Sequence, residues 1–302
     1  MSEKIPFTKL AASPEQLLAK WTSQGLTLSE AETPQALAYL RYVGAYRLKG
    51  YWFHLVDPTT KRFPAGYTFA QIAERCEFDR ELRAATIEAI DRLEVAVRCV
   101  MGNYLSLKHS PHWFLKPAIF KPTREWGIGQ LLRKIEDEVR RADGKRFVSH
   151  YFSRHDEPYL PPSWSVSECV SFGLWSRTYA ILRDPNDKKA ICKRFDVDQT
   201  EVFQSWIHTL TVVRNVAAHH GQLLKVKQGV APANYKAAGI RFSDQKAFFA
   251  AATVIHYLLD KTGLPHRWKE DLEQIFARHP GVDIADLGFP KNWQTSPGWA
   301  RH

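Results

Sequence analysis

The stretch "FAQIAERCEFDRELRAATIEAIDRLEVAVR", Phe69 to Arg98, decides the fold class of this protein. Its apolar residues recur with the period of a helix, and the pattern continues to about Leu107. This predicts one long amphipathic helix, because a half-buried strand would alternate apolar and polar residues. Helical periodicity is found along most of the chain and strand alternation almost nowhere. The sequence therefore predicts an all-α protein.

Other segments carry the start and stop signals of helices. "SPEQLLAKWTSQG" opens with Ser-Pro and stops at Gly25, and "TPQALAYLRYVGAYRLKGYW" begins a further helix. More helices are predicted in "REWGIGQLLRKIEDEVRRA", "SWSVSECVSFGLWSRTYAILR" and "SDQKAFFAAATVIHYLLDKTG". The expected architecture is a helical bundle in three parts: an N-terminal helical extension, 1–66, a helical domain, 67–262, and a C-terminal helix with a Pro/Trp-rich tail, 263–302, that packs on the domain.

Composition narrows the class of protein. The 302 residues are 44% hydrophobic and 25% charged, the balance of a soluble globular chain, and the start resembles no signal peptide. We expect a cytoplasmic protein with no membrane contact. The four cysteines, Cys76, Cys99, Cys169 and Cys192, lack the short spacing of zinc ligands and are predicted to be reduced core residues. We expect no metal and no cofactor. A net charge of +10, spread along the chain, favours an anionic partner such as nucleic acid over a membrane; a generally basic solvated surface is the alternative.

A second stretch, "VVRNVAAHHGQLL", Val212 to Leu224, holds the candidate chemistry. We expect it on a helix that starts at a capping box, Asp198 with Glu201, and continues to Gly221. At the helical period its apolar side chains form one narrow stripe that packs into the bundle: Trp206, Leu210, Val213, Ala217 and Leu224.

Four polar residues of the same helix share the opposite side: His208, Thr211, Asn215 and His219. Asn215 and His219 are one turn apart, and the long side chain of Arg214 can reach round from a flank. His220 lies near the edge of the core stripe. An Arg-to-His pair at one spacing is expected about once by chance in such a chain. The motif alone therefore leaves open an active site or the polar side of an ordinary helix.

Five blocks in a fixed order resemble the abortive-infection Abi family, in its AbiD/AbiF group. They are "YLRYVGAYRLKGYWFHL", "FAQIAERCEFDRELRAATIEAIDRLEVAVR", "SVSECVSFGLWSRTY", "VVRNVAAHHGQLL" and "GFPKNW". The resemblance implies the HEPN superfamily, all-α domains whose Arg-Asn-x3-His helix is a metal-independent ribonuclease site. It carries catalysis to Arg214, Asn215 and His219. "GAYRLKG" departs from the family pattern, which more often has a second tyrosine and a serine there.

The implied function is that of a toxin-like endoribonuclease in bacterial phage defence, which leaves 2′,3′-cyclic phosphate and 5′-hydroxyl ends. One His219 does not conveniently move both protons, so His220 or a second copy in a homodimer supplies the other transfer. Some relatives resemble partners of a small noncoding RNA, which implies such an RNA as antitoxin and ligand. The alternatives are a protein that binds structured RNA through the same face without cutting it, and a purely protein-binding helical module.

Two further groups of residues are candidates for supporting roles. Glu94 falls inside an apolar arc of the long helix with Arg98 one turn on; the pair either stabilises two helices or orients Arg214 or His219. The block Leu40–Leu55 interleaves basic and aromatic residues, which suits single-stranded RNA, although aromatic rings in a bundle are more often core. Its RNA-binding candidates are Arg41, Arg47, Lys49 and Tyr46.

Overall fold

The computed structural model of the protein describes residues 6, 8, 10–124 and 126–299. The α-helices are α1 (Pro14–Ser23), α2 (Thr33–Tyr39), α3 (Ala45–Trp52), α4 (Phe69–Lys108), α5 (Ile128–Arg141), α6 (Arg146–Arg154), α7 (Ser163–Val166), α8 (Phe172–Ala180), α9 (Pro185–Cys192), α10 (Thr200–Ala218), α11 (Phe248–Thr262) and α12 (Trp268–Arg278). Within these ranges the structure has isolated β-bridges but no β-strand. The all-α prediction is confirmed.

The described residues divide into two compact units. Unit 1 contains the residues up to Glu81 together with Gln274–Asp283, and unit 2 contains Leu82–Glu273 and the residues from Ile284 onward. The division after residues 66 and 262, expected from the sequence, stays a prediction about separate domains.

The residues predicted to start and stop helices in unit 1 do so in most cases. Ser13 caps α1 in a capping box with Gln16, and Gly25 follows the helix with φ +99°. The predicted helix from Thr33 to Trp52 is interrupted, however. A π-helical segment, Leu40–Gly44, separates α2 from α3, and Gly44 has φ +91°. Only glycine adopts that backbone conformation readily, so the chain changes direction there.

The long helix α4 matches its predicted limits, but a later segment does not. The single helix expected in "SWSVSECVSFGLWSRTYAILR" is two helices, α7 and α8. Ser171 adopts extended backbone (φ −71°, ψ 154°) between them. Its N–H donates to Oε2 of Glu138 at 2.6 Å, so a side chain of α5 supports the start of α8.

The core of unit 2 is built around α10 and α11. Every residue of α11 from Ala250 to Leu259 is buried, and α10 packs most extensively against α8. The chain after Ile284 adds buried aromatic rings to this core: Phe289, Trp293 and Trp299. The indole N–H of Trp299 donates to Oγ1 of Thr253 at 2.8 Å, which attaches the tail to α11.

The thiols are all free, as expected, but only two lie in the core. Cys76 and Cys192 are buried, Cys169 is half-buried and Cys99 is exposed. The core prediction is thus wrong for Cys99, whose side chain accepts a contact from Nδ2 of Asn103 at 3.3 Å on the outside of α4.

None of the helices described has the length and apolar character needed to cross a membrane.

Candidate active site at the end of helix α10

Helix α10 is fixed by a buried apolar stripe. The predicted stripe residues Trp206, Leu210, Val213 and Ala217 are all at most 1% exposed; Leu224 is also buried, but it lies beyond the helix, which ends at Ala218. The predicted capping box is wrong: the helix starts at Thr200 after Gln199, which makes no side-chain cap. The N–H of Asp198 instead donates to the hydroxyl of Tyr235 at 3.1 Å. Tertiary contact therefore replaces the local cap.

Helix α10 ends three residues before Gly221, in a Schellman motif. The N–H of Gly221 donates to the carbonyl of Val216 at 2.7 Å, and that of His220 donates to the carbonyl of Ala217 at 3.2 Å. A Cβ on Gly221 would lie 2.7 Å from Cγ1 of Val216, so only glycine fits there. His220 takes the left-handed position of the motif with φ +60°.

His219 closes α10 while keeping a helical hydrogen bond. Its N–H donates to the carbonyl of Asn215 at 2.9 Å, which leaves the two residues one turn apart. Both are exposed, as predicted. Two neighbours differ from expectation. Thr211 is buried against α8. Its methyl group packs so closely on Gly173 that a Cβ added to this glycine would lie 3.3 Å from it.

His220 is the second departure, because it was expected near the core and is exposed. The left-handed backbone turns the chain out of the helical path directly after His219, so the helical wheel no longer applies to it. The end of α10 consequently presents two adjacent imidazoles to solvent.

Arg214 connects the exposed end of α10 to a buried charge on α4. Its side chain is 43% exposed, and Nε lies 3.9 Å from Oε2 of Glu94, whose side chain is 7% exposed. The other carboxylate oxygen of Glu94 accepts from Nη2 of Arg98, one turn along α4. The distance to Arg214 is that of an ion pair and too long for a hydrogen bond. Glu94 thus serves both arginines.

The surroundings of Arg98 make Glu94 a necessary partner. Burial lowers the pKa of the Arg98 guanidinium, against the influence of the carboxylates of Glu168 and Asp91, and the charge of Arg214 lowers it further. Nε of Arg98 has no hydrogen-bond partner among the described residues. A buried cation so placed depends on its nearest carboxylate.

The basic and aromatic candidates lie in unit 1. Tyr46 is 94% exposed, whereas Tyr51 and Trp52 belong to the core. The ammonium of Lys49 lies 4.3 Å from the centre of the Phe53 ring. Arg41 is exposed and pairs with Glu15 at 3.4 Å, and Arg47 is half-buried. The block is therefore divided between packing and surface.

A groove in unit 1 gathers some of these side chains with others that the sequence did not single out. We call it the lysine groove. Its lining includes Lys20, Tyr46, Lys49, Trp52, Phe53 and Lys61. The three lysines come from α1, α3 and the loop after α3, so only the fold reveals the cluster.

A third group, in unit 2, was missed by the sequence analysis. His256, Asp260 and His266 place one donor atom each within 4.8 Å of one another. The signal available in the sequence was a His-x3-Asp pair on one helix with a histidine six residues later. Because this pattern contains no cysteine, the cysteine spacing typical of zinc sites does not reveal it.

The comparisons with known proteins give the family. A family model described as Abi-like protein matches residues 38–225, a range that contains α4 from Phe69 to Lys108 and all of α10. No significant match was found among curated proteins or among solved structures. Since the match covers more than half of the 302 residues, the chain belongs to the Abi-like family of abortive-infection proteins.

Proposed function

We propose that the protein is a metal-independent endoribonuclease of the HEPN type, acting as a toxin-like effector in bacterial abortive infection. The observation that carries the proposal is the end of α10, where the exposed Asn215 and His219 are one turn apart beside Arg214. Membership of the Abi-like family supports the defence role. The net charge of +10 suits a polyanionic substrate.

The residue types fit cleavage of RNA by its own 2′-hydroxyl. A base removes the proton of that hydroxyl, its oxygen bonds to the adjacent phosphorus, and the bond to the 5′-oxygen breaks as an acid protonates that oxygen. The products are a 2′,3′-cyclic phosphate and a 5′-hydroxyl. Imidazole exchanges protons near neutral pH, so we assign one transfer to His219. Arg214 and Asn215 donate hydrogen bonds to the phosphate oxygens.

The second proton transfer needs another group. We assign it to His219 of a second copy in a homodimer, because the Asn215–His219 side of α10 faces away from the buried stripe. His220 is the competing candidate, since it is exposed and adjacent in sequence.

RNA binding without cleavage is the second candidate function, and the lysine groove favours it. Three lysines can contact phosphates, and the exposed Tyr46 ring can stack on an unpaired base. A small noncoding RNA that acts as antitoxin is a suitable ligand under either function.

The test measures cleavage of single-stranded RNA in EDTA by the wild type, His219→Ala and the control His208→Ala. His208 is an exposed histidine on α10, the helix that His219 closes, so the control matches His219 in exposure and in the helix it belongs to or caps. We expect wild type and His208→Ala to produce cyclic-phosphate ends. We expect the cleavage rate of His219→Ala to be lower than that of the wild type by a factor of about 100 or more. Equal RNA binding with no cleavage by any of the three, in preparations free of copurified RNA, would establish the binding protein instead.

A further inference from the structure

The cluster of His256, Asp260 and His266 lies in unit 2, on α11 and in the loop after it. His256 and Asp260 are one helical turn apart, and the chain brings His266 back to them after the turn at Gly263. Nε2 of His266 is 2.9 Å from Oδ1 of Asp260, and Nε2 of His256 is 3.7 Å from Oδ2. Donors at this spacing can share one metal ion, since zinc bonds to nitrogen and oxygen are about 2.0–2.2 Å long.

His256 supplies an independent observation that points to a ligand. The residue is 1% exposed, and both ring nitrogens are buried with no hydrogen bond of good geometry among the described residues; the backbone of Trp299 makes only a weaker hydrogen-bonding contact with the ring. The 3.7 Å separation from Asp260 is too long for a hydrogen bond. A buried polar atom left unpaired costs free energy, and coordination of a cation would satisfy one of these nitrogens.

The tail of the chain fixes the orientation of the His256 ring. The ring stacks on Trp299, with centroids 4.6 Å apart and planes inclined by 17°. Trp299 is itself held by its hydrogen bond to Thr253 on α11. The stacking restricts rotation of the His256 ring and so fixes the directions of its two nitrogens.

We propose that His256, Asp260 and His266 bind one divalent transition metal ion, with zinc as the fitting ion, through two imidazole nitrogens and a carboxylate oxygen. Two histidines and a carboxylate are an established donor set for such ions. The bound ion stabilises unit 2, because it links α11 to the loop after it beside the packed tail. It takes no part in the chemistry assigned to His219.

The site is accessible to an ion from solvent. Asp260 has a side chain that is 30% exposed, and His266 lines a surface groove together with Glu88 and Asp91 of α4. Glu88 is paired with Arg92 of the same lining, which leaves the carboxylate of Asp91 to favour the approach of a cation. Water can complete the coordination from the same side.

The test is zinc binding by the full chain after dialysis against EDTA and removal of the chelator. We expect one zinc ion per chain, detected by competition with a chromophoric chelator, and a midpoint of thermal unfolding raised by about 5 °C or more in excess zinc. His266→Ala and Asp260→Asn should each bind zinc at least tenfold more weakly and lose the thermal shift. Circular dichroism checks that both variants remain folded.

His109→Gln is the matched control, because His109 also contacts an aspartate, Asp187, at 2.9 Å. We expect it to bind zinc as the wild type does. The proposal is overturned if the wild type binds no zinc, or if His266→Ala and Asp260→Asn retain wild-type affinity, which would assign the ion to other residues such as the exposed Cys99. Both outcomes are independent of RNA cleavage.

Discussion

Oε2 of Glu94 on α4 lies 3.9 Å from Nε of Arg214 on α10. The contact joins a carboxylate that is almost fully buried to an arginine that is nearly half exposed, so the inner end of the Arg214 side chain is held while its outer part faces solvent. The other oxygen of Glu94 pairs with Arg98. These contacts fit both roles predicted for Glu94, as a structural ion pair with Arg98 and as a residue that orients Arg214.

The substitution Glu94→Gln separates stability from activity. It should lower the free energy of unfolding by about 3 kcal/mol, because the buried Arg98 loses its nearest counter-charge. Chemical denaturation measures this. Glu88→Gln is the control: Glu88 pairs with Arg92 on the same helix at 50% exposure of both side chains, and its loss should cost less than about 1 kcal/mol.

The orienting role adds a second expectation for Glu94→Gln. Cleavage measured well below the unfolding temperature should fall more than that of Glu88→Gln, because Arg214 loses its anchor. Wild-type cleavage in a folded Glu94→Gln would limit Glu94 to a structural role.

His220 is expected to reduce stability as it stands. An L-residue in the left-handed conformation costs about 1 kcal/mol relative to glycine, so His220→Gly should raise the free energy of unfolding by about that amount. His220→Ala keeps the conformation and should change stability little. If the second proton comes from another copy of His219, both variants cleave RNA; loss of cleavage in both would assign that proton to His220.

The homodimer has its own measurement. Light scattering of the purified protein, with and without RNA, should give twice the chain mass. Since Asn215 and His219 are exposed, His219→Ala should leave the fold unchanged, within about 0.5 kcal/mol of unfolding free energy. A strict monomer that still cleaves would contradict the shared site.

RNA binding at the lysine groove can be tested with two exposed tyrosines. Tyr46 lines the groove and is 94% exposed, whereas Tyr42 is 81% exposed and is not among the groove residues. Tyr46→Ala should weaken binding of single-stranded RNA by about 1–3 kcal/mol, and Tyr42→Ala should not. Binding should also fall steeply with salt. An affinity unchanged by salt would argue against an RNA partner.

Stability should decline in mild acid through His112. Burial lowers the pKa of His112, although a backbone hydrogen bond to Leu160 opposes the shift. The folded pKa is below the unfolded one, so this contribution is complete above about pH 6.5 and is lost as pH falls through that value toward the folded pKa. Thermal unfolding at pH 7.5 and 5.5 should show a smaller acid decrease in His112→Gln than in the exposed-histidine control His150→Gln.

The sequence predicted the parts of the fold that depend on local periodicity. The limits of α4 and the stripe from Trp206 to Ala217 follow from repeated apolar spacing, which one long helix preserves. The boundary predicted at Asp198 was wrong and the break at Ser171 was not predicted, because residues distant in sequence, Tyr235 and Glu138, supply the hydrogen bonds there. A helical wheel contains no such partners.

The candidate site was likewise predictable from the sequence only in part. The exposure of Asn215 and His219 was predictable, since Asn215 lies on α10 and His219 keeps the helical hydrogen bond at its end. The outward position of His220 was not, because it depends on one left-handed residue beyond the helix. The cluster of His256 and His266 required the return of the chain after α11, and the lysine groove required three separate segments. Neither leaves a periodic trace in the sequence.

The attachment of Trp299 to α11 has a consequence for synthesis on the ribosome. A helix made before residue 262 keeps apolar surface uncovered until a tryptophan translated much later reaches it. Such contacts of high sequence separation form late in folding. In a nascent chain, the surface of α11 that Trp299 covers therefore stays open until the segment that carries Trp299 has been translated and has packed against the helix.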